Sequence, residues 1–149
     1  MGADLRSSVL TRELLKHIPL SPGKVRCLVM DWTLDAGTAT LVAFEDGATS
    51  LYLSTGGGII GAGSHESVKG AAASFRELGT RLARQFYQVE TFPLPPLGSL
   101  AFYAVTDSST TTTGPLTLAT VGDPASPYHQ LAQEGQRLLA EVRKVASPH

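Results

Sequence analysis

The chain has 149 residues and a mass of 15.7 kDa, which suits one ordinary domain and is too short for two well-packed ones. Apolar residues make up 42% of it, enough to bury a core and too many for a disordered chain. Twelve Lys and Arg residues against thirteen Asp and Glu residues give a net charge of −1, whereas nucleic-acid-binding proteins normally carry a basic excess. A nucleic-acid partner is therefore not expected.

The cysteine content and the N-terminal sequence bear on the compartment. Cys27 is the single cysteine, which excludes an intramolecular disulfide and a zinc site built from cysteines. The N-terminus shows no basic segment followed by an apolar run, so no signal peptide is predicted. Apolar runs are only a few residues long, far below the ~20 of a membrane span. These features predict a cytoplasmic protein that does not associate with a membrane.

The first half of the chain predicts a helix and three strands. Leucines at helical spacing predict a short helix over Ser8–His17. The strands are predicted at Lys24–Thr33, Thr38–Glu45 and Thr49–Ser54. Asp46-Gly47 is a strong hairpin signal, because a type I′ turn needs positive φ at its centre. The three strands should therefore form an antiparallel meander.

The second half predicts two long helices and two strands. In chain order these are a helix over 65–87, a strand over 98–106, a strand over 116–121 and a helix over 127–145. The polar segment 107–114 is predicted to be a loop. On the helices, one apolar stripe each carries the residues expected in the core: Phe75, Leu78, Leu82, Leu131, Leu138 and Val142.

The element order α-β-β-β-α-β-β-α predicts one α+β domain over residues 1–149. We expect a single five-stranded, mainly antiparallel sheet with two long helices on one face and a short N-terminal helix. Residues 1–7 and 146–149 are expected to be flexible ends.

The glycine-rich segment after the third strand is the sharpest candidate site. It contains G-x-G-x-x-G, a pattern whose glycines let backbone N–H groups approach a phosphate at a helix N-terminus. A dinucleotide site is not predicted, because the preceding strand belongs to a hairpin and not to a parallel βαβ unit. Two interpretations remain: close packing of strand and helix, or contact with a small anion. The candidate ligand-binding residues are Gly56, Gly57, Gly58, Gly61, Gly63, Ser64 and His65.

Other chemistry-bearing residues do not complete a catalytic set. His65-Glu66 begins the zincin pattern H-E-x-x-H, but Lys69 occupies the position of the second histidine. Cys27 lies among apolar residues of a predicted strand, which is typical of a buried, inert thiol. Asp31 lies in the same strand and is expected at its end, capping the following turn. No catalytic residue, metal ligand or cofactor is predicted. Ser64 is predicted to cap the helix that follows it.

Thr49–Gly61, TSLYLSTGGGIIG, followed by a helix that opens with His-Glu, resembles a family of small uncharacterised bacterial proteins. The resemblance covers the hairpin and the first long helix; it implies a cytoplasmic bacterial protein and no particular activity. More loosely, the element order is similar to roadblock, longin and profilin-like domains. Those domains pack helices on a five-stranded antiparallel sheet and mostly act in binding or dimerisation. Those domains have a two-stranded first hairpin and three strands in their second half. Here, three strands are predicted first and two in the second half.

The sequence therefore favours a non-enzymatic interaction module that binds a protein partner or a second copy of itself. The segment between residues 91 and 125 supports this, because it is rich in Pro and Thr and carries few charges. The alternative is a small enzyme or ligand sensor that binds a small anion at the Gly56–Gly63 loop. A pocket with converging polar groups would favour the enzyme, and an exposed apolar surface would favour the module.

Overall fold

A computed structural model of the protein describes residues 2–59 and 62–146. Four helices lie within these residues: α1 (Gly2–Leu10), α2 (Glu66–Leu82), α3 (Leu118–Gly122) and α4 (His129–Ala146). The same residues form eight strands: β1 (Cys27–Leu34), β2 (Gly37–Phe44), β3 (Thr49–Leu53), β4 (Gly58–Ile59), β5 (Tyr87–Gln88), β6 (Ser99–Val105), β7 (Thr110–Thr112) and β8 (Leu116–Thr117).

All strands pair antiparallel in one sheet of order β4-β3-β2-β1-β6-β7-β5, and β8 also pairs with β6. The predicted meander is β1, β2 and β3. Its second turn contains Gly47 at φ +95°, and the amide of Phe44 donates to the carbonyl of Ala48 at 2.9 Å. The prediction of an α+β fold with an antiparallel sheet is confirmed.

The predicted number of five strands is wrong, because the sheet extends beyond the long strands. The two edge strands, β4 and β5, have two residues each. In addition, the predicted loop 107–114 contains β7. Threonine suits a half-buried pleated surface, and the hydroxyls of Thr110 and Thr112 donate to the carbonyls of Leu10 and Phe102, each at 2.7 Å.

The predicted strand over 116–121 is also wrong, since only its first two residues pair with β6. The chain then turns into α3. The backbone of Thr117 is extended, and its hydroxyl accepts a hydrogen bond from the amide of Thr120 at 3.1 Å. This N-cap starts a helix directly after the strand.

The N-terminal helix lies earlier than predicted. The expected helix over Ser8–His17 is α1 (Gly2–Leu10), followed by a separate 3-10 turn at Leu14–His17. Between them, Arg12 has a φ of +67°, a left-handed conformation that interrupts a right-handed helix. Residues 2–7 and residue 146, which the sequence assigns to flexible ends, lie in α1 and α4, while residues 1 and 147–149 lie outside the described residues.

The helices α2 and α4 pack together on one face of the sheet. Their fully buried side chains include Phe75, Leu131, Leu138 and Val142, and Leu78 and Leu82 are partly buried against the same cluster. The strand residues beneath them include Leu28, Met30, Leu41 and Phe102.

The opposite face of the sheet is covered by α1 and the 3-10 turn. Val9, Leu10 and Leu15 pack there against strand residues that include Val29 and Tyr103. In the part of the chain that the structure describes, no helix combines the length and apolarity that crossing a membrane requires.

Candidate functional site

The described glycines of the glycine-rich segment belong to separate local structures: a turn, an edge strand and a 3-10 turn. Gly56 and Gly57 have φ values of +106° and +81° and form the exposed turn between β3 and β4. Gly58 lies in β4, where a Cβ would overlap the carbonyl oxygen of Leu51. The first three candidate residues therefore make a turn and a close-packed edge strand. Gly61 lies outside the described residues.

Gly63 and Ser64 lie in a 3-10 turn before α2. A Cβ at Gly63 would overlap the carbonyl oxygen of Gly47, so this glycine lets the turn pack against the β2–β3 hairpin. The predicted cap at Ser64 is wrong, because α2 begins at Glu66 and the residue before it is His65. His65 is exposed and makes no side-chain cap hydrogen bond.

A cleft of about 420 Å³ lies between that hairpin turn and α2. Gly63 and Ser64 line it together with Lys69, Arg76 and Asp46, whereas Gly56, Gly57, Gly58 and His65 do not. The Nη1 of Arg76 donates to the carbonyl of Glu45 at 3.3 Å, and its Nε is buried with no partner among the described residues. The structure thus brings together only two of the predicted ligand-binding residues, beside two cations that the sequence reading did not include.

Asp31 is fully buried, which corrects the expectation that it caps a turn at a strand end. Its Oδ2 accepts from the Nη2 of Arg6 at 2.7 Å and from the Nε at 3.1 Å, and its Oδ1 accepts from the hydroxyl of Thr40. Arg6 lies on α1, so this ion pair fixes α1 to the sheet. The sequence signal was present, since a carboxylate inside an apolar strand needs a partner when it is buried.

A second buried charge cluster lies at the start of β1. Arg26 is 5% exposed and forms ion pairs with the carboxylates of Glu45 and Asp107. The other oxygen of Asp107 accepts from the amide of Ser21 at 2.6 Å. These contacts join the chain before β1 to the ends of β2 and β6. The positive charge of Arg26 compensates part of the negative charge of Glu45 and Asp107.

The thiol of Cys27 is buried on the α1 face of the sheet, and burial raises its pKa to about 12. A thiol at that pKa is protonated at neutral pH and is a poor nucleophile. The Nδ1 of His129 donates a hydrogen bond to the carbonyl oxygen of Val121 at 2.7 Å. Among the described residues, no group of three His, Cys, Asp or Glu side chains is placed to hold a metal ion.

Exposed leucines gather at one end of the sheet, where β1 and β3 end and β6 begins. We name this surface the leucine end; its members are Leu34, Leu53, Leu97 and Leu118, which are 42%, 37%, 66% and 40% exposed. Hydrogen bonds connect these segments: the amide of Gly98 donates to Thr33, and the amide of Leu118 donates to Gly98. The sequence reading missed this surface, although each strand leucine stands directly before a turn.

A groove of about 280 Å³ opens at the leucine end, between the sheet and the C-terminal half of α4. Leu34, Leu53 and Leu51 line it from the strands, and Leu139 lines it from α4. Arg143, also on α4, is its only charged lining residue among those the structure describes. The groove is therefore suited to an apolar side chain and not to a charged ligand.

No protein-family model, curated protein or solved structure matches this chain.

Proposed function

We propose that the protein is a non-enzymatic interaction module of the bacterial cytoplasm, and that it forms a homodimer through the leucine end. The observation that carries the proposal is the apolar groove with exposed leucines beside it. Exposed leucines that come from separate segments and lie together mark an interaction surface, whereas isolated ones are ordinary.

The shape of the leucine end favours a second copy as the partner. A two-fold interface uses the same patch on both subunits, so the patch must contain both a projection and a recess. Leu97 is the most exposed of the four residues of the leucine end and can serve as the projection, while the groove beside Leu53 serves as the recess. Both belong to the same end of the sheet, so two copies can exchange these contacts.

The sheet edges support an interface made by side chains instead of strand addition. Within the described residues, which end at 59 on this side and resume at 62, the edge strands β4 and β5 have two residues each. Short edge strands offer few free backbone groups and are one way in which proteins prevent edge-to-edge pairing. Association should therefore depend on the apolar side chains at the strand ends.

The test places a charge in the groove. Leu53→Glu should convert the dimer into a monomer, because a carboxylate buried in an apolar interface carries a large desolvation cost. The matched control is Leu20→Glu, which alters a leucine that is 76% exposed and lies outside the leucine end. Light scattering and sedimentation over a wide concentration range should show a dimer for the wild type and for Leu20→Glu. A wild type that stays monomeric throughout would refute the homodimer.

The second candidate function is a small enzyme or ligand sensor that binds a small anion at the start of α2. It is favoured by the position of Lys69 and Arg76 beside Gly63. Against it, Asp46 lines the same cleft, and Lys69 lies 3.8 Å from Glu66 in an ion pair. Amide shifts at residues 63–69 on addition of phosphate, lost in Arg76→Gln, would support this function over the module.

A further inference from the structure

A second cleft, of about 560 Å³, lies at the end of the sheet opposite to the leucine end. It is formed by the last turn of α2, the 3-10 turn Ala83–Gln85 that follows it, the chain before β1 and the chain after β6. Its volume is within the range of small-molecule sites. It is open to solvent on one side, since Lys24, Arg81 and Arg84 on its walls are exposed.

The charge of this cleft is uneven. Lys24, Arg81 and Arg84 line it, and Glu45 is the only acidic lining residue in the described part of the chain. Glu45 already pairs with the buried Arg26. The side chains of Lys24, Arg81 and Arg84 form no ion pair or hydrogen bond within the described residues. They therefore leave an uncompensated positive field over a concave surface.

Arg81 has an ordinary explanation, because it lies in the last turn of α2, where a basic residue offsets the helix dipole; Arg84 follows in the 3-10 turn Ala83–Gln85 directly after α2. That explanation does not apply to Lys24, which comes from the turn before β1 and belongs to no helix. The turn is held in place, since the amide of Lys24 donates to the carbonyl of Ser21, whose own amide donates to Asp107. Separate segments thus place cations around one cleft.

The remaining lining side chains define the class of ligand. Thr80, Thr106 and Thr111 line the cleft, and Val25, Ala83 and Ala104 add small apolar surface. No aromatic side chain is among the lining residues that the structure describes, so there is no platform on which a nucleobase could stack.

We propose that this cleft binds a small phosphorylated molecule without an aromatic base, with Lys24, Arg81 and Arg84 as the phosphate ligands. Arginine suits this role because its planar guanidinium can donate two parallel hydrogen bonds to phosphate oxygens. The cleft is independent of the proposed dimer, which uses the other end of the sheet. A dimer could therefore display two such sites.

The test uses inorganic pyrophosphate as the probe, at constant ionic strength, with backbone amide shifts as the measurement. Saturable shifts should appear at residues 23–25, 80–84, 106 and 111. The double variant Arg81→Gln/Arg84→Gln should weaken binding by about tenfold or more, because two charge-assisted contacts are lost. The matched control, Arg137→Gln/Lys144→Gln, removes the same charge from exposed positions on α4 and should bind like the wild type.

Three results would overturn the proposal. The first is the absence of saturable shifts in the wild type. The second is equal weakening in the α4 control, which would show that only net charge matters. The third is a pattern of shifts confined to residues 63–69, which would assign the anion to the cleft at the start of α2. Because the oligomeric state is measured separately with Leu53→Glu, failure here leaves the dimer proposal untouched.

Discussion

The two ends of the sheet differ in chemistry although the same strands reach both. At one end the strands finish in exposed leucines, Leu34 and Leu53, beside an apolar groove. At the other, they lead into a buried Arg26 cluster and a cleft bordered by cations that have no ion-pair partner in the described part of the chain. An antiparallel sheet exposes turns at both ends, so one fold can carry two surfaces of opposite character. The strand ends, and not the sheet faces, therefore hold the exposed chemistry of this molecule.

Both faces are occupied because each is covered by helices. On the α2–α4 face, Gly79 lies against the side chain of Leu28 and Gly135 lies against that of Met30; a Cβ at either position would overlap the side chain beneath. These glycines let the long helices approach the sheet closely. The helices consequently leave the strand ends as the available surface.

The largest expected effect tests the core between the two ends. Phe75→Ala should reduce the free energy of unfolding by about 3–5 kcal/mol, because it removes a fully buried ring that contacts Phe102. Urea unfolding measures this, and both surfaces should lose structure in one transition. Leu20→Ala, at a side chain that is 76% exposed, is the control and should cost under about 0.5 kcal/mol. A loss below about 1 kcal/mol for Phe75→Ala would show that the core is misassigned.

The next effect tests the attachment of α1. Asp31→Asn should cost about 3 kcal/mol, because it leaves the charge of Arg6 without its partner on a largely buried side chain. The double variant Arg6→Met/Asp31→Leu should recover most of that loss, since a buried pair replaced by apolar residues is often neutral or stabilising. If the single and double variants are equally unstable, packing and not the ion pair holds α1 to the sheet.

The structural features that could be predicted from the sequence are those encoded by residues close together in the chain. The meander follows from Asp46-Gly47 and from apolar strands, so it was predictable, as was the burial of Phe75 and Leu138. The strand at Thr110–Thr112 was missed because its polar residues read as a loop, and their hydroxyls find acceptors only in the folded chain. The burial of Asp31 was not predicted, because its partner, Arg6, lies 25 residues away on α1.

The candidate site was predicted less well than the fold. Turn glycines and phosphate-binding glycines have the same sequence pattern, and the structure assigns Gly56 and Gly57 to a turn. The cations of the second cleft lie far apart in the sequence, at Lys24 and Arg84, and no periodicity joins them. The same is true of Leu53 and Leu97 at the leucine end. Surfaces that depend on long-range contacts require the structure.

A smaller effect concerns the thiol at the start of β1. Burial raises the pKa of Cys27 from 9.0 to about 12, so the unfolded chain loses this proton at a lower pH than the folded one. Its contribution to stability is therefore complete below about pH 9 and is lost as the pH rises toward 12. The slope is at most about 1.4 kcal/mol per pH unit.

Cys27→Ala should remove this alkaline slope while leaving the pH dependence below pH 9 unchanged. Urea unfolding of both proteins at neutral and alkaline pH measures the difference. A thiol reagent provides a second check, since the folded wild type should react only as fast as it unfolds. Rapid labelling of the folded protein at neutral pH would contradict the burial of this residue.

The smallest effects compare the two parts of the glycine-rich segment. Gly58→Ala should destabilise the protein by about 1 kcal/mol or more, because the added Cβ meets the backbone of Leu51. His65→Ala should change stability by less than about 0.5 kcal/mol, because the side chain is exposed and caps nothing. Thermal and urea unfolding of the two variants, measured together, give the contrast. If Gly58→Ala leaves stability unchanged, β4 is free to move away from β3. If His65→Ala is strongly destabilising, the imidazole of His65 has a structural role at the start of α2.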